Sequence, residues 1–377
     1  MTANFFELHV LQTLPYSNVN RDDLGSPKTL VYGGVQRTRV SSQSWKRPVR
    51  LAVEERLGEP AARTRRLPGK VAEILRERGW PEDLAAHAGD QVRISAGKAA
   101  DKPIRAEDNG GTSVLFYLPT RAFTELADLA EQHRDAIAAQ TGKKSPKQAL
   151  PAEDVLHILK ARNGTVNLFG RMLAELPATE VDGAVQFAHA FTTHATEPEI
   201  DFFTAVDDIP SGDARVDRGS AHMNSAEFSA GVFYRYACVD LRGLLNNLGG
   251  DESTAHELVQ AFAEAFLTAM PGGKKNSTAP ATLPDLAYAT ARADRPVSLA
   301  PAFELPVRAE ADGWGLPSRR RLGEYAETTH RLWGEQGNLW HGYAAVDDKP
   351  LSGLGERRDS YLDVIGQAAT AAFSGVG

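Results

Sequence analysis

Six segments of the sequence carry strand-like or helix-like patterns in a defined order. They are a strand at 4–11, a helix at 41–57, strands at 184–194 and 228–241, an amphipathic helix at 253–270 and a strand at 283–291. The strands show apolar alternation, and the helices show apolar residues at helical spacing. The order strand, helix, strand, strand, helix, strand predicts an α+β fold of the ferredoxin-like or RRM-like type.

Two long segments interrupt this order, and we predict that both are insertions. Residues 58–165 are rich in Ala, Arg, Glu and Leu and carry short helical patterns at 68–79, 121–140 and 152–162, which predicts a helical insertion. A stretch at 96–113 interrupts these patterns and is expected to be flexible. Residues 194–225 connect two strand patterns and are too long for a hairpin turn, which predicts a protruding excursion. The central domain then comprises residues 1–57 and 166–377.

The composition excludes several classes of protein. No apolar run approaches the roughly 20 residues that a bilayer span requires, and the first residues lack the basic region of a signal peptide. The single cysteine, Cys238, excludes an internal disulfide and fits a reducing compartment. We therefore expect a cytoplasmic protein without a membrane partner.

Residues 33–50, GGVQRTRVSSQSWKRPVR, concentrate positive charge in a chain whose formal net charge is −7. The segment contains no acid and five cations: Arg37, Arg39, Lys46, Arg47 and Arg50. One interpretation is a solvated helix face, and the other is a binding site for a polyanion such as a nucleic acid backbone. Because the whole chain is acidic, such a site has to be local.

The expected local structure places these cations on shared faces. A two-stranded ribbon around Gly33-Gly34 puts Arg37, Arg39 and Ser41 on one strand face. In the following helix, Gln43 shares an arc of roughly 100° with Lys46, Arg47 and Arg50. Pro48 is tolerated only near the first turn of a helix, which predicts that this helix begins close to Ser44.

Motifs for a cofactor or a catalytic metal are absent from the sequence. It has no glycine-rich phosphate-binding motif, no H-E-x-x-H and no C-x-x-C, so no cofactor and no metal are expected. His189, His194 and His222 lack metal-ligand spacing and are expected to be structural. Asp22 and Asp23 could hold Mg²⁺ for phosphodiester cleavage, but carboxylates that cap a loop are the favoured interpretation.

Two further basic stretches have two interpretations each. GKKSPK at 142–147 lies at a helix boundary, and GGKKNST at 272–278 follows the second predicted main helix. Lysines near the end of a helix can simply compensate its dipole. Contact with nucleic acid is the alternative for both stretches.

Long motifs resemble those of one known family. In chain order they are NRDD, GG-x-x-R-x-R-x-SSQS-x-KR-x-x-R, DGA…AHA-x-TTH, EIDFFTAVDD, GSAH…EFSAGVFYRYA and LGG. Over residues 4 to 290 they resemble the CasC family, the backbone subunit of the subtype I-E CRISPR surveillance complex Cascade. The resemblance implies a hand-shaped protein with a modified RRM palm, helical fingers at 58–165 and a β-hairpin-like thumb at 194–225.

The resemblance also implies a function and its partners. Several copies bind along one CRISPR RNA together with other Cascade subunits and present the RNA to target DNA, without catalysis by this subunit. The alternatives are a metal-dependent ribonuclease that uses Asp22 and Asp23, and a monomeric single-strand binder.

The motifs assign roles to individual residues. Positions that contact the RNA backbone are matched by Arg21, Lys28, Ser41, Gln43, Lys46, Arg47 and Arg50. Phe203, Thr204, Ala205 and Val206 match the apolar tip of the thumb, and Met172 matches a position beside the kinked nucleotide. Lys274 and Lys275 retain part of a basic loop that contacts RNA. Lys143, Lys144 and Lys147 resemble a lysine-rich stretch that touches double-stranded DNA.

Overall fold

The structure is a computed structural model of the chain. It describes residues 3–100, 102–205, 222–311 and 313–374, apart from the side chains of residues 204, 205, 222 and 223. Within these ranges, no helix combines the length and the apolar character that a membrane span requires.

Twelve strands are present in the part of the chain that the structure describes. In chain order they are β1 Phe5–Ser17, β2 Thr29–Tyr32, β3 Val35–Val40, β4 Ala61–Thr64, β5 Phe116–Pro119, β6 Val185–Phe187, β7 Ala190–Thr192, β8 Glu199–Ala205, β9 His222–Asp240, β10 Leu286–Arg292, β11 Asn338–Ala345 and β12 Glu356–Arg357.

The same part of the chain contains twelve α-helices and two short 3₁₀ helices, Pro177–Thr179 and Ala300–Phe303. The α-helices are α1 Ser42–Leu57, α2 Leu67–Glu77, α3 Glu82–Ala99, α4 Arg121–Gln132, α5 Arg134–Ala138, α6 Ala152–Leu159, α7 Gly164–Phe169, α8 Leu241–Asn247, α9 Glu252–Thr268, α10 Lys275–Thr278, α11 Gly315–Trp333 and α12 Tyr361–Phe373.

The first of two compact units contains Met1–Arg50, Gln186–Leu241 and Val259–Gly377. Its sheet has the strand order β12-β11-β10-β1-β9-β7-β3-β2, and β8 also pairs with β9. The central strands β10, β1, β9 and β7 are antiparallel neighbours. Each of these four strands overlaps a segment with a predicted strand pattern, although β1 and β9 are longer than predicted, and the predicted α+β class is confirmed.

Both faces of this sheet are covered by other parts of the chain. Successive residues of a strand point to opposite sides, so each strand contributes apolar side chains to both faces. On one face, Leu11 and Tyr234 pack with Phe303 and Leu322 from the C-terminal part of the chain. On the other face, Leu14 and Phe233 pack with Trp45 of α1. The N-terminal turns of α1 are therefore fixed to the sheet by a buried tryptophan.

The predicted ribbon is formed by β2 and β3, which pair antiparallel with Tyr32 opposite Val35. Gly33 and Gly34 make the turn with φ values of 62° and 76°, which other L-residues rarely adopt. A Cβ atom on Gly33 would also lie 1.7 Å from the carbonyl oxygen of Glu304. The turn therefore requires glycine for its conformation and for its close approach to a distant segment.

The second compact unit contains Leu51–Val185 and Arg242–Leu258. Helices α2 to α6 bury a core of small and aliphatic side chains, with contributions from the two-stranded sheet β4-β5. The predicted helices at 68–79, 121–140 and 152–162 correspond to α2, α4 with α5, and α6. The assignment of a palm, fingers and a thumb to parts of the chain comes from the family resemblance and stays a prediction.

Six helices are absent from the sequence prediction: α3, α7, α8, α10, α11 and α12. The stretch expected to be flexible, 96–113, begins inside α3. The start of α1 also differs from the prediction, because the helix begins at Ser42 and places Pro48 beyond its first turn. Proline has no N–H, so the carbonyl of Ser44 lacks the usual donor four residues later.

Candidate nucleic-acid interface

Asn20 joins the loop after β1 to the start of α1. Its side-chain Oδ1 accepts a hydrogen bond of 2.8 Å from the N–H of Ser41. Its backbone carbonyl accepts a bond of 3.0 Å from the N–H of Lys28. Arg21, which follows Asn20, is exposed and forms an isolated bridge with Pro27. The loop that carries Arg21 and Lys28 is thus held against the first residues of the helix.

Arg39 and Lys28 are also connected through the backbone. The N–H of Arg39 donates to the carbonyl of Lys28 at 2.8 Å, and the Nε of Arg39 donates to the carbonyl of Thr29 at 3.3 Å. The pKa of His189 is lowered, first by burial and then by the charges of Arg39 and Lys28. Two predicted RNA-binding cations therefore make this locality electropositive.

The sequence predicts a structural role for His189 without identifying its partner. In the structure its Nδ1 accepts a hydrogen bond of 2.8 Å from the N–H of Ser42, so it satisfies one of the free N–H groups at the start of α1. The sequence signal that could have revealed this role is the AHA-x-TTH motif, but the pairing joins residues 147 positions apart.

The first turns of α1 present the predicted polar face. Ser41 is buried, and its Oγ accepts a hydrogen bond of 3.3 Å from the N–H of Ser44. Gln43 and Arg47 are exposed. Lys46 and Arg50 are half-buried and have interaction partners of their own. The N-terminus of a helix is the positive end of its dipole and favours anions such as phosphate.

The loop that carries Lys274 meets the same region through Val19 and Asn18. A Cβ atom on Gly273 would lie 2.5 Å from the carbonyl oxygen of Val19, so glycine permits the close approach. Asn18 donates from Nδ2 to the carbonyls of Gly25 and Glu227, at 2.9 and 2.8 Å. Three segments distant in sequence therefore converge on residues 18–20.

An aromatic ring positions the lysine of this loop. The Nζ of Lys274 lies 6.0 Å from the centroid of the Phe228 ring, and Tyr16 stacks on the same ring at 4.8 Å. Lys275 is exposed and begins α10. We call the polar residues of these joined segments the basic surface: Arg21, Lys28, Arg39, Ser41, Gln43, Lys46, Arg47, Arg50, Lys274 and Lys275.

Arg37 does not belong to the basic surface. It is fully buried, and Nη1 donates to the carbonyl of Thr192 at 2.9 Å while Nη2 donates to the carbonyl of Phe303 at 3.0 Å. Burial also lowers its pKa. The segment around Phe303 covers Arg37 and leaves Arg39 half-exposed. This burial contradicts the prediction that Arg37 binds RNA.

The predicted apolar tip begins within a described strand. Phe203 lies opposite Asn224, Thr204 opposite Met223 and Ala205 opposite His222 in the β8–β9 ladder, so residues 203–205 are strand positions, and their contact with RNA or a neighbouring copy stays a prediction. The Phe203 side chain is 47% exposed. The described residues do not include the segment 206–221 of the predicted thumb, which contains Val206, or the side chain of Thr204.

In the second unit, Met172 is 85% exposed and lines a concavity of about 650 Å³ together with Leu115 and Tyr117. The preceding Arg171 is buried, and it donates from Nη1 to the carbonyl of Ala161 and from Nε to that of Thr179, both at 2.8 Å. Burial, reinforced by the charge of Arg162, lowers the pKa of Arg171 to about 10. These bonds fix the backbone from which Met172 projects.

The lysines predicted to contact DNA are exposed in the same unit: Lys143, Lys144 and Lys147. The Nζ of Lys143 donates to Oε1 of Gln140 at 3.3 Å, and the N–H of Lys147 donates to the same oxygen at 3.1 Å. Gln140 therefore fixes the stretch at both ends.

The acidic and histidine candidates have structural partners. Asp22 Oδ1 accepts hydrogen bonds from the N–H groups of Leu24 at 2.9 Å and Ser26 at 3.0 Å, as in an Asx turn. His194 stacks on Trp314 with ring centroids 4.1 Å apart, and the side chain of His222 is not described. Among the described residues, no three His, Cys, Asp or Glu side chains are grouped to hold a metal ion.

The chain is similar to one known protein family over most of its length. The model of a family described as CT1975-like protein matches residues 6–362. The chain belongs to the CT1975-like protein family. No curated protein sequence matches this CT1975-like protein at a significant level.

Two solved structures are similar to the CT1975-like protein over nearly its whole length. A chain of a "CRISPR RNA-guided surveillance complex, pre-nicking" has a TM-score of 0.92 and 54% identity, over 98% of this chain and 100% of that one. A chain of a "CRISPR RNA-guided surveillance complex" has a TM-score of 0.82 and 47% identity over the same shares. In both cases the chains share a large fraction of their residues as well as the fold.

Proposed function

We propose that this CT1975-like protein is the non-catalytic, RNA-binding backbone subunit of a CRISPR RNA-guided surveillance complex of subtype I-E, the CasC type. Several copies bind along one guide RNA and present it for pairing with target DNA. The observation that carries this proposal is the basic surface, in which segments distant in sequence converge on Asn18 and Asn20. The similar chains from surveillance complexes support it.

The chemistry of the basic surface suits a phosphate backbone. Lysine and arginine neutralise phosphates without reading bases, and Ser and Gln side chains add hydrogen bonds. The start of α1 contributes its dipole. A subunit that accepts guides of any sequence needs this sequence-independent mode of binding.

The sheet supports an RRM-like palm with a modified binding mode. The neighbours β10, β1, β9 and β7 are the four strands of the predicted ferredoxin-like order. In RRM domains, aromatic side chains on the exposed sheet face stack on RNA bases. Here Phe303 and Leu322 pack over the sheet face opposite Trp45. RNA is therefore expected at the loops and at the start of α1 instead.

The β8–β9 hairpin suits contact with another copy of the chain. Ile200 and Phe202 of β8 are 60% and 71% exposed and share one strand face, so they form an apolar patch that suits an interaction surface. In the proposed assembly, this hairpin belongs to the thumb and packs against an adjacent copy. Met172 and Phe203 lie beside the nucleotides where the guide is kinked.

The proposal is tested by co-expressing the chain with a CRISPR RNA and imaging the purified product by electron microscopy. The expected result is a ribonucleoprotein with several copies arranged along the RNA, which grows with the length of the RNA. Monomers that bind RNA without assembling would contradict the backbone role and favour a simple single-strand binder.

The ribonuclease alternative needs a separate test. Labelled RNA incubated with the protein and Mg²⁺ should remain intact, since Asp22 already accepts two backbone N–H groups. Asp22→Asn keeps the oxygen that caps the turn but removes the carboxylate that Mg²⁺ requires. Cleavage by the wild type that this substitution abolishes would overturn the non-catalytic assignment.

A further inference from the structure

We infer that Tyr16 is a stacking site for one nucleobase of the guide RNA, at the edge of the basic surface. This inference rests on the proposed function and adds a base contact to its phosphate contacts. Tyr16 lies near the end of β1 and is 39% exposed. Its ring stacks on that of Phe228, with centroids 4.8 Å apart and planes 30° apart. Since Phe228 covers one face, the exposed part of the ring offers its other side to a planar ligand.

A β-bulge sets the position of Tyr16 in the sheet. From Leu14 to Ser17, β1 advances three residues while its partner β9 advances two. Bulges are common next to functional sites, where they re-aim a side chain. Pro15 lies within this bulge, a place where strands tolerate a residue without an N–H. The extra residue interrupts the alternation of β1, so the bulge and the stacking on Phe228 together direct the tyrosine ring.

The ring beneath Tyr16 is held in place by the segments that carry the basic surface. Phe228 is buried, and the carbonyl of the preceding Glu227 accepts a hydrogen bond of 2.8 Å from Nδ2 of Asn18. The same nitrogen donates to the carbonyl of Gly25 at 2.9 Å. On the ring itself, Nζ of Lys274 lies 6.0 Å from the centroid. A base that stacks on Tyr16 therefore meets a preorganised surface, which lowers the entropic cost of binding.

Two carboxylates near the ring favour a base over a phosphate at this position. Glu199 of β8 lies directly opposite Phe228 in the β8–β9 ladder, and Asp201 follows two residues later, so both side chains share the strand face of Phe228. Desolvation, and then the charges of Asp201 and Glu199, raise the pKa of the Tyr16 hydroxyl, which therefore stays protonated at neutral pH. The carboxylates repel a phosphate, whereas a nucleobase is uncharged at neutral pH.

The same strand face carries a second exposed aromatic side chain. Phe203 is 47% exposed and lies four residues after Glu199 on β8, which corresponds to about 13 Å along the strand. The proposed function places Phe203 beside a kinked nucleotide, so an RNA strand that follows this face passes both Phe203 and Tyr16. Stacking tolerates every base, because each has a π-face, and it is therefore compatible with guides of any sequence.

The test measures the affinity of the full-length protein for a single-stranded RNA and for an RNA of the same length whose nucleotides lack bases. Both RNAs carry the same phosphates and riboses, so only base contacts differ. Tyr16→Ala removes the ring, and Tyr16→Phe keeps it. For the RNA with bases, Tyr16→Ala should weaken binding by about 5-fold to 150-fold per bound copy, and Tyr16→Phe should bind like the wild type.

Two further readings separate stacking from charge and from folding. Fluorescence anisotropy at several salt concentrations should give Tyr16→Ala the wild-type slope of log affinity against log salt, because the phosphate contacts remain. For the RNA without bases, Tyr16→Ala should bind as tightly as the wild type.

Three outcomes would overturn the inference. Equal weakening for both RNAs in Tyr16→Ala would show that the ring supports the fold rather than a base. An unchanged affinity for the RNA with bases would show that Tyr16 does not contact RNA. A loss in Tyr16→Phe as large as that in Tyr16→Ala would assign the contact to the hydroxyl. A wild-type protein that binds neither RNA would instead contradict the proposed function, so the two failures are distinguishable.

Discussion

The guanidinium carbon of Arg235 lies 3.7 Å from the ring centroid of Trp45, and both side chains are buried. The same carbon lies 4.4 Å from the ring centroid of Phe266, and Nη1 donates to Oε1 of Gln12 at 2.5 Å. Burial lowers the pKa of Arg235 to about 9, so it stays charged at neutral pH. A cation between two aromatic rings therefore connects the first turns of α1 to the sheet.

Trp45→Ala should lower the free energy of unfolding by about 3–5 kcal/mol, because it leaves a cavity and removes one aromatic face from a buried charge. Urea denaturation measures the change. Leu332→Ala is the control, since Leu332 is 80% exposed, and it should cost less than about 1 kcal/mol. Equal costs for the two substitutions would show that Trp45 does not anchor the helix.

Arg37 and Arg39 lie on one strand but should respond differently to substitution. Arg37→Ala leaves the buried carbonyls of Thr192 and Phe303 without their donors, at about 1–3 kcal/mol for each. Arg39→Ala should change stability by less than about 0.5 kcal/mol and decrease the salt slope of RNA binding by about 0.7. Denaturation and RNA titration distinguish the two roles, and the reverse pattern would contradict both assignments.

Acid should destabilise the protein through two buried histidines. The pKa of His9 is lowered to about 3 and that of His330 to about 4, in both cases mainly by burial. His9 is surrounded by Tyr234, Tyr236 and Tyr288, and nearby positive charge on Arg292 adds to the shift. The unfolded chain binds these protons near pH 6.5 and the folded chain does not, so stability falls as the pH decreases below 6.5.

Each of these histidines contributes up to about 1.4 kcal/mol per pH unit between pH 6.5 and its folded pKa. His9→Asn keeps a polar atom near the Tyr234 hydroxyl, which lies 2.9 Å from Nδ1 of His9, but removes the titrating ring. Urea denaturation from pH 7 to pH 4 should therefore give a flatter dependence for this variant. The exposed control His157→Asn should keep the wild-type dependence, and an unchanged slope for His9→Asn would refute the explanation.

Gln91→Leu should lower the free energy of unfolding by about 1–3 kcal/mol for each backbone group it leaves unpaired, namely the carbonyl of Lys147 and the N–H of Ala149. It should also increase hydrogen exchange in residues 147–150, measured by mass spectrometry. Gln132→Leu, at an exposed position of the same unit, is the control and should change neither quantity. Unchanged exchange in Gln91→Leu would mean that the lysine segment is held by other contacts.

Local patterns predicted the central part of the fold. Alternation identified β1 and β9, and Gly33-Gly34 identified the β2–β3 turn, because strand period and positive φ are properties of neighbouring residues. Helix α3 was missed for a physical reason. Its Gly89 and Gly97 suggest a loop, yet they serve close packing, since Cβ atoms there would lie 2.1 Å from the carbonyl oxygen of Pro68 and 2.9 Å from the N of Ile104.

Contacts between distant segments decided what the sequence could not predict about the site. The motif placed Arg37 with Arg39, but the backbone around Phe303, 266 residues later, buries Arg37. Lys274 joins the basic surface only because Gly273 packs against Val19. The role of His189 depends on a bond to Ser42 that no local pattern encodes. The clustering of positive charge was visible in the sequence. The burial of each side chain and its hydrogen-bond partners depend on the fold.

The central claim, sequence-independent binding of guide RNA by the basic surface, is tested most directly by the salt dependence of RNA affinity. The variant Arg21→Ala/Lys28→Ala/Arg47→Ala is compared with Arg308→Ala/Arg331→Ala/Lys349→Ala, which removes three exposed cations of the same unit outside that surface. For guides of unrelated sequence, the first variant should decrease the slope of log affinity against log salt by about 2, at about 0.7 per contact, and the control should match the wild type. Equal slopes for the two variants, or a loss confined to one guide sequence, would contradict the account.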